Sequence, residues 1–307
     1  MSSVEAYVRY LSSERRYSPR TCEIYSRILE SYSAFVDSSE DPLPLSPPLV
    51  RAYEVHLMDA LSLSPRTVSQ HLSVLSGYCR FLMKAGLLDS NPVHLVSRPK
   101  MEKRLPQFYR EDAMTQYFHQ TCGDPEFGTY DQKLKRLIVS ILANTGIRRA
   151  ELISLNVSSV DFSRQVLRVL GKGDKMREIP LIPSLCEEIS LYLSAVSSLM
   201  EGAYDSEMPL LRTAKGSRLY PVFVDRVIKS ELGNIRGITG RRSPHVLRHT
   251  LATELLGDGA DLNSIKELLG HSSLAATQVY THNSIERLQS VYNNAHPRAK
   301  NGGNNGD

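Results

Sequence analysis

Four separated clusters in the second half of the sequence carry residue types able to act on a phosphodiester. In TGIRRAE, Arg148 follows a glycine turn and stands at the start of a helix. In GKGDKM, Lys172 occupies the tip of an expected hairpin, between two glycines. SPHVLRHT opens a helix at Ser243-Pro244, which sets His245 and Arg248 three residues apart on one face of the first turn. Free N–H groups and the helix dipole favour an anion at that end. In LLGHSS, His271 follows Gly270, the expected stop of a helix begun at Asp261, and Tyr280 comes nine residues later within TQVYTH. Each has an ordinary alternative reading: a surface arginine, a solvated tip lysine, a packing tyrosine among fifteen.

Gathered by a fold, the six would form a self-sufficient set. A phosphodiester under attack gains negative charge on its nonbridging oxygens, and two arginines, Arg148 and Arg248, can clamp it bidentately. A phenol titrates near 10, so Tyr280 needs a base or a cationic field to attack at neutral pH, and His245 is the candidate for that help. Lys172 can protonate the departing sugar oxygen. His271 would hydrogen-bond a phosphate oxygen or orient the tyrosine. A phosphotyrosyl ester replaces a phosphodiester, so rejoining needs neither ATP nor a metal, and no cofactor is expected. The sequence has no GxxxxGK[ST] phosphate loop and no paired-carboxylate metal motif. His245 and His249 have the spacing of a helical zinc pair, but Val246 stands where a general base would follow, so no metal site is expected.

The elements that must position these groups are mostly helical. Ser18-Pro19-Arg20-Thr21 and Ser64-Pro65-Arg66-Thr67 both read as helix starts, with Ser as N-cap and Pro at the first helical position. Arg20 and Arg66 then stand near helix N-termini, either on a solvated face or in contact with DNA phosphates. After the second start, Val68, Leu72, Leu75, Cys79 and Leu82 keep helical spacing until Gly86 offers a stop. Residues 132–144 carry a further apolar face ending at Thr145-Gly146. The period then changes: Val166–Leu170 and Arg177–Leu181 read as strands of a hairpin around GKGDKM. Helices resume to residue 294, and the tail NGGNNGD reads as disordered.

Composition sets the frame. The 307 residues allow two domains, and 41% hydrophobic with 23% charged residues describes a soluble globular chain. Neither a membrane-spanning run nor a secretory signal is present, which predicts a cytoplasmic protein. Cys22, Cys79, Cys122 and Cys186 form no CxxC pair, which suits a reducing compartment. A net charge of +4, from 37 basic and 33 acidic residues, permits a nucleic-acid partner without demanding one.

Taken in order, TGIRRAE, GKGDK, HVLRH and LLGHSSLAATQVYTH closely resemble the motifs of the tyrosine site-specific recombinases, the superfamily of phage integrases, related in mechanism to type IB topoisomerases. The likeness runs from about residue 3 to 299, and SPHVLRH, GADLNSIKELLGHSSLAATQVYTH and AHPRA at Ala295–Ala299 are most similar to the Xer branch. One departure is mild: Arg149-Ala150 stand where many relatives have an aliphatic and a small polar residue. The resemblance implies that Arg148, Lys172, His245, Arg248, His271 and Tyr280 are the active-site set, with Tyr280 as nucleophile forming a 3′-phosphotyrosyl intermediate. It implies a mainly α fold with a small β-sheet in the catalytic domain, arranged as a two-domain C-shaped clamp on duplex DNA. Residues 1–96 would be an N-terminal four-helix, SAM-like core-binding domain, 97–106 a linker, 107–299 the catalytic domain and 300–307 a disordered tail. It further implies a tetramer on two DNA sites passing through a Holliday junction, with or without a second paralogous recombinase. Residues 284–299 would be either a segment exchanged between neighbours or one packed in cis. Xer-type chromosome dimer resolution at cell division is the first expectation. A mobile-element or phage integrase using the same chemistry is the alternative, disfavoured because no extra amino-terminal arm-binding domain is expected. A DNA-binding protein that has lost catalysis is a third, which the presence of all six positions opposes.

Overall fold

The computed structural model describes residues 2–37, 40–100, 108–121, 128–171, 175–199, 205–233, 235, 237–238, 240–270 and Tyr292. The chain divides into two compact units, Met1–Arg104 and Leu105–Asp307.

Among the described residues, four α-helices build the first unit: α1 (Ser3–Ser13), α2 (Pro19–Val36), α3 (Pro47–Val55) and α4 (Pro65–Lys84). Both SPRT starts fold as the local chemistry requires. The Ser18 and Ser64 hydroxyls accept from the backbone N–H of Thr21 (3.2 Å) and Thr67 (3.3 Å), each with Pro at the first helical position. Such a cap contributes about 1 kcal/mol. The expected stop of α4 holds as well, because Gly86 takes a left-handed φ of 71° just past its end. The apolar stripes of the helices meet in a core that includes Leu29, Tyr32, Tyr53, Val68, Leu72 and Leu75, all essentially inaccessible to solvent. Behind α4, Arg98 donates to the hydroxyls of Ser69 and Ser73.

In the second unit, α5 (Glu111–Gln120), α6 (Tyr130–Thr145), α7 (Arg149–Ser154), α8 (Pro183–Leu199), α9 (Pro221–Glu231), α10 (Pro244–Gly257) and α11 (Leu262–Leu269) surround a separate core. Helix α6 is central, with α8, α9 and α10 packed on it. Leu134, Leu137, Ile138, Ile141 and Leu142 are buried as the sequence pattern demands, each worth about 1.5–3 kcal/mol of transfer free energy. Enclosure on several sides also buries Ser140, Asn144 and Thr145: the Ser140 and Thr145 hydroxyls and the Asn144 amide nitrogen donate to partners inside, while Asn144 Oδ1 has none among the described residues. Ser140 and Arg136 both bond Glu188 of α8 (3.0 and 3.1 Å), although burial still holds that carboxyl above its usual range.

The expected hairpin is present as β2 (Val166–Leu170) and β3 (Met176–Pro180), antiparallel with Val169 opposite Arg177. A third strand, β1 (Val160–Asp161), joins β2 and makes a sheet of order β1-β2-β3. Two residues are too few to show an alternating pattern, which is why the sequence gives no sign of β1. Strand β3 also begins one residue earlier than expected, because Met176 pairs with Leu170. Among the described residues no helix is long and apolar enough to cross a membrane. The tail, most of the linker and Cys122 lie outside the described residues.

Candidate active site

Arg148 owes its position to a glycine. Gly146 caps α6 in the left-handed region (φ 61°), and a Cβ there would stand 2.6 Å from a Leu269 methyl and 3.0 Å from one of Leu251. Only glycine permits both the turn and this approach of α6 to α10 and α11. The chain then buries Ile147 and presents Arg148 as the N-cap of α7.

The Glu151 carboxylate, in the first turn of α7, holds Arg148 twice: it accepts from the backbone N–H (2.7 Å) and from Nη1 (2.8 Å). Its two oxygens also receive Arg177 of β3 in a two-pronged pair, at 3.0 Å from Nη1 and 2.8 Å from Nη2. A single buried carboxylate thus serves two guanidiniums.

A third guanidinium arrives from α10. Arg248 is only 5% exposed and donates to Gly146 O (2.8 Å) and Leu269 O (2.5 Å). Burial, with repulsion from Arg148, pushes it down to about 10, so it stays cationic at neutral pH. Three consecutive carbonyls at the end of α11 each receive one arginine: Leu268 O from Arg177 Nε (3.2 Å), Leu269 O from Arg248, and Gly270 O from Arg148 Nη2 (2.9 Å). That end is the negative pole of a helix, which helps hold three like charges together. Three guanidiniums against one carboxylate leave a cationic surplus, as an anion site requires.

His245 lies in the first turn of α10 with its ring exposed and set edge-on to His249, 4.7 Å between centroids. Partial burial, then repulsion from His249, Arg248, Arg241 and Arg148, holds its pKa below the usual imidazole value. It is therefore neutral at pH 7 and able to accept a proton. Ser243 precedes the helix as expected, yet its hydroxyl makes no capping bond; the Oγ is buried without a hydrogen-bond partner among the described residues.

The fold therefore brings Arg148, His245 and Arg248 into one neighbourhood. Lys172, His271 and Tyr280 lie outside the described residues; the flanking groups are in place, since Gly171 N donates to Lys175 O across the hairpin turn (2.8 Å) and Gly270 ends α11 at φ 67°. Arg20 and Arg66 stand in the first turns of α2 and α4, where Arg20 pairs with Glu23 at 2.6 Å. The divergent Arg149 is paired with Asp225 of α9. Residues 284–299 are described only at Tyr292, which is 2% exposed and donates to Asn144 O, an in-cis contact at that position.

Sequence reasoning passed over Arg177 and gave Glu151 no role. The signal was available for Arg177: in a strand, residues two apart share a face, so Arg177 follows Ile179 into the interior. Nothing local connects it to Glu151, 26 residues earlier, or to Leu268, 91 residues later.

The shared carboxylate has a pH signature. Burial raises the Glu151 pKa, but the bonds from Arg177 and Arg148 outweigh it and leave it below its usual value. A depressed carboxylate contributes stability above its unfolded pKa of about 4.3 and loses that contribution as pH falls through the folded value. Thermal unfolding followed from pH 7 to pH 3 should therefore show a fall in midpoint below about pH 4.3, and Glu151→Gln should lessen its steepness. An identical acid profile in Glu151→Gln would show that this carboxylate does not titrate as described.

Comparison with known proteins adds the family context. The phage integrase family model matches residues 111–287, and the phage integrase N-terminal SAM-like domain model matches residues 4–86. The chain is 36% identical over 301 residues to tyrosine recombinase XerC of Mycobacterium sp. (strain JLS), covering 97% of this chain and 99% of that one. It is 35% identical over 304 residues to tyrosine recombinase XerC of Bacillus subtilis (strain 168), covering 96% of each. In fold alone it resembles the XerH site-specific recombinase bound to palindromic difH substrate, with TM-score 0.67 and 18% identity over 94% of this chain and 84% of that chain.

Proposed function

The chain belongs to the phage integrase family and is a tyrosine recombinase of the Xer type; from that premise we propose that Tyr280 is its nucleophile and that Arg148 and Arg248 clamp the scissile phosphate. The observation that carries this reading is the convergence of Arg148, Arg177 and Arg248 on the carbonyls of one helix end, the first two also held by one carboxylate, beside a neutral histidine.

The Tyr280 phenolate attacks the phosphorus, the bond from phosphorus to the 5′ oxygen breaks, and a 3′-phosphotyrosyl ester forms. His245 takes the phenolic proton, and Lys172 supplies one to the departing 5′ oxygen. Attack by a 5′ hydroxyl from the partner strand then reverses each bond change, so strand joining consumes no nucleotide. His271 hydrogen-bonds a nonbridging oxygen, while Arg20 and Arg66 contact the DNA backbone from the amino-terminal domain. Exchange on two sites through a Holliday junction calls for four active sites, hence a tetramer, alone or with a paralogous recombinase, and the cytoplasm is where its DNA lies.

The biological role is open to direct test. Protein incubated with fragmented genomic DNA in EDTA, then denatured, should retain covalently joined fragments from a single chromosomal site. Retained fragments from the ends of a mobile element would assign the chain to integration, and fragments spread evenly over the genome would contradict site-specific action.

A further inference from the structure

Arg177 has no chemical role in the reaction just described, yet its guanidinium bonds the carboxylate that holds Arg148 and lies close to two glycines that each immediately precede another group that does. It is 6% exposed and pairs through Nη1 and Nη2 with Glu151, whose carboxylate in turn holds the backbone and side chain of Arg148. Nε donates to Leu268 O in the last turn of α11. Two glycines make room for it. A Cβ on Gly171 would lie 3.3 Å from Arg177 Nη1, and one on Gly270 would lie 3.2 Å from Nε, Cζ and Nη1. Gly171 directly precedes Lys172 in the chain, and Gly270 directly precedes His271.

We propose that Arg177 is a positioning residue for strand cleavage: its planar fork sets the direction of the Arg148 guanidinium through Glu151 and fixes the end of β2 against the end of α11. The inference rests on the recombinase reading of the site. The shape of the group matters as much as its charge. Glu151 presents two oxygens, and Leu268 O lies on the third side, so only a rigid fork with donors on three sides satisfies all of them at once. A lysine at 177 keeps the charge and loses that geometry. Misplacement of a catalytic group by about 1 Å costs on the order of 10²-fold in rate.

A purely structural role predicts different behaviour, and two variants separate the cases. Removing Arg177 alone leaves Glu151 with one buried partner fewer, which destabilises; replacing both members by apolar residues is often neutral for folding. Arg177→Lys and the double variant Arg177→Met with Glu151→Met are therefore compared with wild type for cleavage of a nicked duplex and for thermal unfolding. The same cleavage is measured on a duplex whose scissile phosphate is a methylphosphonate, which has lost the charge that Arg148 neutralises.

On the ordinary phosphodiester, cleavage by Arg177→Lys should fall by about 10²-fold, and the double variant should regain the stability of wild type without regaining its rate. On the methylphosphonate the deficit of Arg177→Lys should shrink, and that of Arg148→Ala with it, because the misplaced group is no longer needed. Equal deficits on both substrates, or a double variant that recovers its rate along with its stability, would overturn the positioning role. A wild type that forms no adduct with the phosphodiester would instead overturn the recombinase reading itself.

Discussion

Arg148→Ala should slow covalent cleavage by about 10²–10³-fold, the effect of removing one preorganised donor from a developing oxyanion, while leaving the protein folded. The folding part follows from the pairing. Glu151 keeps its two bonds from Arg177 when the Arg148 side chain is cut back, so no buried carboxylate is orphaned. The backbone N–H of residue 148 still donates to it as well. Arg148 is also the most accessible of the three arginines, its side chain 41% exposed, and so the best placed to meet an incoming phosphate. Arg148→Lys should recover little of the lost rate, since an ammonium cannot reproduce a bidentate grip. Arg248→Ala should differ in kind: it strips donors from the carbonyls of Gly146 and Leu269 inside the protein. It should lower stability by roughly 1–3 kcal/mol in addition to the rate. Single-turnover cleavage rates and unfolding midpoints for the three variants check this, and an Arg148→Ala enzyme as fast as wild type would remove Arg148 from the clamp.

Tyr280→Phe should have a larger effect still: no covalent complex at any time, with DNA binding retained. The substitution deletes one oxygen and leaves an apolar ring of nearly the same size. Every bond change in cleavage passes through that oxygen, so no slower version of the same reaction remains. Gel shift on the intact duplex should be unaltered, because the arginines that supply the attraction are untouched. Loss of binding together with cleavage would mean that Tyr280 holds the fold or the DNA and is not the attacking group.

Much of the frame of each unit is legible in the sequence because it depends on local rules. Ser18 and Ser64 cap helices through their own neighbours, Gly146 and Gly270 stop helices where L-residues are strained, and β2 and β3 pair antiparallel as the hairpin pattern indicates. The placement of Arg148 and Arg248 at helix starts, on which their proposed roles rest, is legible in the same way. Less accessible are features made by distant segments. Glu151 looks like an ordinary first-turn acid until α7, β3 and α11 are brought together, and Arg177 reads as one member of a strand. Strand β1 and the pair of Arg149 with Asp225 also exist only through partners elsewhere in the chain.

The most direct measurement is the chemical identity of the adduct. A duplex nicked close to the cleavage position traps the intermediate, because the short fragment diffuses away and cannot rejoin. After proteolysis, mass spectrometry of the trapped wild-type complex should find the nucleotide on the peptide containing Tyr280, joined through a 3′ phosphate. A nucleotide on any other residue, or a free 3′ phosphate with no peptide attached, would contradict the assignment of Tyr280 as the nucleophile.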